Sequence, residues 1–314
     1  MFFFSTFFLM IFLLLGVAFF TLFERKILGY VQFRKGPNKV GYLGLFQPFS
    51  DALKLFSSEF YYINFGNYFI YYLIPVFGLL ISMLFWLLYP FFFNMISFIY
   101  GMLFFFCCSG LGVYIIMIAG WSSNSMYSML GCMRSIAQSI SYEVCFFLII
   151  LCFVIFLESF SFFNFIYVQC YTWMVFCSFP LFLIFFSCSL AETNRSPFDF
   201  SEGESELVSG FNVEYSSFMF SLFFLSEYMN MMFLSFFMVL IFFGGDCFNL
   251  IFYLSFIFFL FMFVWVRCTF PRYRYDKLMY LSWKCYLPVV MNFLIYFVSL
   301  KIYIYFIFFS IYFY

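Results

Sequence analysis

An all-α integral membrane protein is the fold class this sequence predicts, on three observations. Of its 314 residues, 67% are hydrophobic and only 9% are charged, whereas a soluble domain is about half apolar and about a quarter charged. The apolar residues gather into eight runs of about the 20 residues that an α-helix needs to cross a bilayer. Nearly all the cations fall between alternate pairs of those runs.

The spans are placed at roughly 2–23, 69–90, 98–119, 140–158, 171–190, 217–243, 247–266 and 287–312, within one membrane domain covering 1–314 and lacking an obvious internal repeat. The first, MFFFSTFFLMIFLLLGVAFFTLF, has neither a basic leader nor a small-residue cleavage site. It is expected to remain as a membrane span and not to be removed. The last is long enough to tilt or protrude.

The cations test this count. Arg25, Lys26, Arg34, Lys35, Lys39 and Lys54 lie between spans 1 and 2, and Arg134 lies between 3 and 4. Arg195 lies between 5 and 6, and Arg267, Arg272, Arg274, Lys277 and Lys284 lie between 7 and 8. The other connections carry none, and Lys301 alone sits in a span, where its long stem can snorkel to the far surface. Positive charge stays on the side where the chain is made. The loops 24–67, 120–139, 191–216 and 267–286 therefore share that side, and both termini lie opposite.

The first of these loops carries a further element. In QPFSDALKLFSSE (47–59), Phe49, Ala52, Leu53 and Phe56 recur at helical spacing, with Ser50, Asp51, Lys54 and Ser57 on the other face. Pro48 suits a first helical turn. An amphipathic helix at the interface, or roofing a cavity, follows; a plain surface helix is the alternative. Further back, Gly36-Pro37-Asn38 is a turn signal that folds the basic segment toward the membrane.

Several chemistries lose their ligands. Histidine is absent and the eleven cysteines form no CxxC, which leaves no zinc, haem or iron–sulfur signature. The cysteines read as small apolar residues. No phosphate-cradling glycine motif occurs, and zero net charge implies no nucleic-acid partner. Any redox chemistry must use a carrier held by a partner or dissolved in the lipid.

The carboxylates are distributed unevenly. Six of fourteen, Glu192, Asp199, Glu202, Glu204, Glu206 and Glu214, crowd into AETNRSPFDFSEGESELVSGFNVEY (191–215) with one cation, Arg195. A solvated acidic loop would explain them, but a loop on the positive side does not need acids, and Phe198, Phe200, Leu207, Val208 and Phe211 would draw it into the protein. On a helix Glu202 and Glu206 would share a face and Glu204 would not, so a bent loop fits better. Ser196-Pro197 is expected to stop the preceding helix. Two carboxylates about 4 Å apart at an effective dielectric near 20 repel by roughly 4 kcal/mol. That is enough to bring their proton exchange near neutral pH. Glu143, beside Tyr142 at the start of span 4, and Glu227, inside span 6, must face protein or water. The Ser-rich stretch 121–139 before Glu143 reads as a loop, and RCTFPRYRYDKLMYLSWK (267–284) as a basic aromatic loop broken from span 7 by Pro271.

The segments ERKILGYVQFRKGPNKVGYLGLFQPFSDALKLFSSE, GWSSNSMYSMLGCMRSIAQSISYEV, AETNRSPFDFSEGESELVSGFNVEY and FPRYRYDKLMYLSWK together resemble one family, subunit 1 of the proton-pumping NADH:ubiquinone oxidoreductase, respiratory complex I, of mitochondrial type. The resemblance runs in order from span 1 to span 8 and lapses only in the aromatic tail after Lys301. It implies a chain in the mitochondrial inner membrane, with the cation-bearing loops in the matrix and both termini on the intermembrane-space side. It implies ubiquinone as substrate and membrane phospholipids around the chain. NADH, FMN and iron–sulfur clusters would be held by partner subunits, none by this chain. Hydrophilic quinone-site and iron–sulfur subunits would pack on the matrix side, and small and antiporter-like subunits in the membrane. It further implies a quinone tunnel at Thr21, Arg25, Arg34, Ala52, Leu55, Phe224 and Arg274. A proton or charge path would run over Asp51, Tyr142, Glu143, Glu192, Asp199, Glu202, Glu204, Glu206 and Glu227, and spans 2–6 would form an inner bundle. A stand-alone ion transporter using the same intramembrane acids is the competing class, and a passive anchor a third.

Overall fold

The computed structural model describes residues 2–61, 66–90, 98–169, 172–201, 203, 208–247 and 249–312, and among them there are helices and no strand. Seven helices are long and apolar enough to span a membrane, and an eighth, shorter one completes the sequence count.

Helix α1 (Phe2–Val31) is longer than its apolar run. Thirty residues reach about 45 Å, well past a bilayer core of about 30 Å. The run of good helix formers after Phe23 continues the helix, so Glu24, Arg25 and Lys26 ride its C-terminal part. The chain then turns back on α1. Arg34 N donates to Gly29 O at 2.9 Å, and a Cβ on Gly29 would lie 2.9 Å from Gly36 N. This close return is what the glycines around Pro37 permit. Helix α2 (Gln47–Ser57) begins with Pro48 in its first turn and lies against α1 and the helix bearing Phe218, with rings at 6.1 Å (Phe19–Phe49) and 5.6 Å (Phe56–Phe218).

Helices α3 (Tyr68–Phe85) and α4 (Gly101–Ser123) are followed by α5 (Met126–Leu157). Here the sequence reading is corrected: 126–139 is the first part of a 32-residue helix, and the loop shrinks to Asn124 and Ser125. Its serines do not break the helix because their hydroxyls donate to carbonyls one turn back. Examples are Ser135 to Cys132 O at 2.8 Å and Ser139 to Ser135 O at 3.0 Å. Asn124, at φ 50°, turns the corner. Gly120 lets the two helices meet, since a Cβ there would be 2.4 Å from Cys132 Cβ. At the far end Lys301 bonds the terminal carbonyls Ile155 O and Phe156 O of α5 and pairs with Glu158 at 2.8 Å.

After α6 (Phe162–Gln169), span 5 is divided between a turn, α7 (Met174–Cys177), and α8 (Phe179–Glu192), which Pro180 opens. Fourteen residues rise only about 21 Å, short of a full crossing. Helix α8 ends at Glu192, before Ser196-Pro197 is reached, so Glu192 is a helix residue and not a loop residue. Helix α9 (Ser217–Phe242) is the centre of the molecule: 78% of its most apolar stretch is buried, against 11% for the last helix. Helix α10 (Leu250–Thr269) follows.

The connection into the last span is also shorter than expected. Helix α11 (Tyr275–Tyr280), a π-helical turn (Leu281–Tyr286) and α12 (Leu287–Tyr312) run on as one helix, leaving 270–274 as the only non-helical link. Lipid offers helices no hydrophobic force to associate, so contact rests on close packing. An aromatic stack supplies it: Phe105–Phe237 at 4.5 Å, Phe146–Phe185 at 4.4 Å and Phe85–Phe233 at 5.1 Å tie α3, α4, α5, α8 and α9.

Candidate functional site

Glu143, Glu192 and Glu227 come from three different helices, α5, α8 and α9, and they line one internal cavity of about 100 Å3. Its walls also include Gly78 and Phe85 of α3 and Ser109 and Gly112 of α4, so the helices of spans 2–6 enclose it. Small residues make the room: a Cβ on Gly112 would meet nothing within 4 Å, and one on Gly110 would face Glu143 Oε1 at 3.7 Å. Ser109 Oγ donates to Glu143 Oε1 at 3.0 Å. Asn194 and Asn230 line the same space, and the amide oxygen of each is buried without a hydrogen-bond partner. One water needs about 10–15 Å3 and two to four polar partners. The cavity has volume for several, and Ser109, Glu143, Glu192, Glu227, Asn194 and Asn230 to hold them.

Arg195 sits at the cavity's edge, 6% exposed, with Nη2 3.2 Å from Glu227 Oε2. Its guanidinium lies 4.9 Å from the centre of the Tyr228 ring. Tyr228 donates to Glu24 Oε2 at 2.6 Å, and Glu24 also pairs with Arg267. Glu24, Arg267 and Tyr228 were not singled out from the sequence. Their partners are 204 and 243 residues apart in the chain, so spacing carried no signal of them. The one available hint was a carboxylate placed directly at the end of span 1.

The acidic segment and the basic aromatic loop, separate in sequence, are sewn together. Tyr273 N donates to Pro197 O at 3.0 Å, and the rings of Phe198 and Tyr273 stack at 5.6 Å. Asp199 faces Arg272 at 3.9 Å, and Arg272 lies 5.5 Å from the Phe200 ring centre. Gln138 of α5 holds the segment from the other side, donating to both Ala191 O and Phe198 O at 2.8 Å. Further along, Tyr71 stacks on Tyr215 at 4.3 Å and donates to Glu214 O at 2.6 Å. Burial holds the Tyr215 hydroxyl above its ordinary range, so it stays neutral. Glu202, Glu204 and Glu206 lie outside the described residues.

Tyr142 does not line the cavity; it is buried between Phe198 at 5.9 Å and Tyr286 at 6.3 Å, and its hydroxyl donates to Leu278 O at 3.4 Å. It therefore faces the π-helical turn, a distortion frequent at functional sites. The expected tunnel residues divide. Thr21 and Arg25 lie on α1, Ala52 and Leu55 on α2, and Phe224 on α9, three helices that pack against one another. Arg25 pairs there with Asp51, which also accepts from Gln47 Nε2 at 3.0 Å. Asp51 thus belongs to the α1–α2 contact and not to the cavity. Thr21 spends its hydroxyl on Ala18 O at 2.7 Å. Arg34 is exposed, and Arg274, also exposed, pairs with Asp276 at 3.0 Å.

Residues 4–298 match the family described as NADH dehydrogenase. The chain is 55% identical to NADH-ubiquinone oxidoreductase chain 1 of Anopheles gambiae, over 94% of each sequence. It is 55% identical to the protein of that name from Locusta migratoria, again over 94% of each. Against that from Apis mellifera ligustica the identity is 46%, over 93% of this chain and 95% of the other.

Proposed function

Because the chain belongs to the NADH-ubiquinone oxidoreductase chain 1 family, and so is a membrane subunit of that enzyme, we propose that it lines the ubiquinone tunnel and begins the acidic path that couples quinone reduction to proton translocation. The observation that carries this reading is the convergence of Glu143, Glu192 and Glu227 on one internal cavity. Carboxylates inside a membrane are retained at a cost, and mark proton or ion pathways.

Reduction of a quinone to a quinol consumes two electrons and two protons. The electrons come from FMN and iron–sulfur clusters on partner subunits; this chain contributes no redox group. Its own residues bind and position. The region where α2 meets α1 and α9, the helices that carry Thr21, Arg25, Ala52, Leu55 and Phe224, would admit an apolar isoprenoid tail. Exposed Arg34, and Arg274 once released from Asp276, would meet the quinone head or a hydrophilic partner. Fixed cations aimed at developing negative charge stabilise it in a water-poor site. The charge change would be felt by Asp199, which faces Arg272 and follows the Phe198 carbonyl that Gln138 of α5 holds. Interacting carboxylates titrate as a group and not singly, so a change at one redistributes protons among Glu192, Glu143 and Glu227. Waters held by Asn194 and Asn230 would complete the transfer.

In this reading the cation-bearing loops face the mitochondrial matrix and its hydrophilic quinone-site and iron–sulfur subunits. Both termini face the intermembrane space. Antiporter-like and small membrane subunits, with phospholipid, cover the rest. The decisive experiment is Glu192→Gln or Glu143→Gln in the assembled complex. Protons moved per electron should fall while the complex still assembles; unaltered pumping with unaltered quinone reduction sinks the path.

A further inference from the structure

Glu227 and Tyr228 are neighbours on α9 but serve different sites. Glu227 lines the acidic cavity, and Tyr228 turns to the C-terminal part of α1, where its hydroxyl donates to Glu24 at 2.6 Å. Arg195 bridges the two: its flat guanidinium covers the Tyr228 ring at 4.9 Å, while Nη2 reaches Glu227 at 3.2 Å. Arg267 of α10 closes the arrangement on Glu24. Between Glu24, Arg195 and Arg267 lies a second cavity of about 10 Å3, bounded by Phe20 and Met231, the volume of about one water. On the other side of α1, the next residue, Arg25, pairs with Asp51 of α2. One turn of α1 is therefore tied outward to the amphipathic helix and inward to the acidic cavity.

We propose that Glu24, Tyr228 and Arg195 form a side branch into the acidic cavity, through which the position of the C-terminal part of α1 sets how fully Arg195 neutralises Glu227. The three are positioning residues; none touches substrate. The inference rests on the proposed path, because it assigns a controller to one of that path's acids. The chain of causes is short. The hydrogen bond from its hydroxyl to Glu24 fixes the tilt of the Tyr228 ring. The ring carries the guanidinium, as a cation held over an aromatic face. The guanidinium sets the field at Glu227. A planar, fork-shaped cation transmits such a tilt better than the point charge of a lysine. Displacing it from Glu227 by about 1 Å, at an effective dielectric near 20, changes the balance between proton occupancies of the cavity about eightfold. A body occupying the space between α1 and α2 would shift α1, and the cavity would respond without touching that body.

A purely structural ion network would tie α1, α9 and α10 equally well, so the test must separate the two. Tyr228→Phe keeps the ring under Arg195 and removes the one hydrogen bond that aims it. In the assembled complex, protons moved per electron should fall by at least about twofold. The same substitution in a Glu227→Gln background should have no further effect, the non-additivity expected of groups in one network. An unchanged ratio, or an effect that adds in full to that of Glu227→Gln, overturns the branch and leaves the path standing. If Glu227→Gln alone alters neither pumping nor quinone reduction, the path itself fails and the branch with it. Should Tyr228→Phe block assembly, Glu24→Ala, which removes the acceptor of that hydroxyl, is carried through both backgrounds with the same criteria.

Discussion

Arg195→Met tests whether the charge at the cavity's edge is needed. The substitution roughly keeps the side chain's length and removes the cation. With 3.2 Å between Nη2 and Oε2, the Coulomb attraction at an effective dielectric near 20 is about 5 kcal/mol. Both side chains are largely shielded from solvent, at 7% and 21% exposure, so little of that is screened away. Removing one member of a buried pair leaves its partner uncompensated, at a cost of about 3–5 kcal/mol. Stacking over Tyr228 adds about 0.5–2 kcal/mol. The Met variant should therefore assemble poorly and lose activity at a lower temperature. Arg195→Lys keeps the charge and should retain much of the stability, yet it forfeits the flat contact with the ring. The assay is the amount of complex on a native gel, then thermal inactivation of quinone reductase activity. If the Met variant assembles and survives heating like the wild type, Glu227 is hydrated well enough to need no counter-charge, and the reasoning from burial is wrong.

Three further outcomes follow from the geometry. Gln138→Leu removes the amide that bonds Ala191 O and Phe198 O at 2.8 Å; each carbonyl keeps a backbone donor, Asn194 N and Phe200 N, so the loss is about 0.5–1.5 kcal/mol per bond; limited proteolysis should cut the 194–201 segment faster, and an unchanged cleavage rate would contradict this. Gly120→Ala puts a methyl 2.4 Å from Cys132 Cβ, an overpacking worth about 1–3 kcal/mol; assembly should fall on native gels, and Cys132→Gly in the same chain should recover part of it. Lys301→Met removes a lysine that caps α5 and pairs with Glu158, which is itself 56% exposed. An exposed pair is worth about 1 kcal/mol or less, so thermal inactivation should move slightly and protons per electron not at all.

The membrane architecture was legible in the sequence because lipid imposes it directly. A span must be apolar, satisfy its own backbone and be long enough. Eight runs were therefore visible, including one that turned out short, and the amphipathic helix at 47–57 followed from its period. Helix ends were not legible in the same way. Serine was read as a loop former over 121–139, yet each serine hydroxyl in a helix can bond the carbonyl of the preceding turn, so composition alone did not decide. The stretch 275–286 was read as loop for a similar reason: charged and aromatic residues at an interface say where a helix meets water, not where it stops. The intramembrane acids Glu143 and Glu227 were legible because hydrocarbon forbids them without a partner. Who the partners are was not. Arg195 was counted as the counter-charge of the acidic loop around it; it bonds Glu227 on α9, and Asp199 faces Arg272.

These partnerships explain why α9, with Ser226, Glu227, Tyr228 and Asn230 in its middle, can be the most buried helix of the bundle. A polar group in the centre of a membrane protein is tolerated only when neighbouring helices satisfy it. Successive residues on a helix point about 100° apart, so polar residues at 226, 227, 228 and 230 cannot all share one partner. They need cavities or cations on several sides. Glu227 and Asn230, three apart, look into the same cavity, and Ser226 lines its wall. Tyr228 faces the other way and needs Glu24. The polar patch on α9 thus requires both the acidic cavity and the ion cluster at the end of α1, and Arg195, on the segment between α8 and α9, is the cation that reaches both. A substitution on either side of α9 should therefore be felt on the other, and that coupling is what distinguishes one connected charge system from two independent repairs of a costly helix.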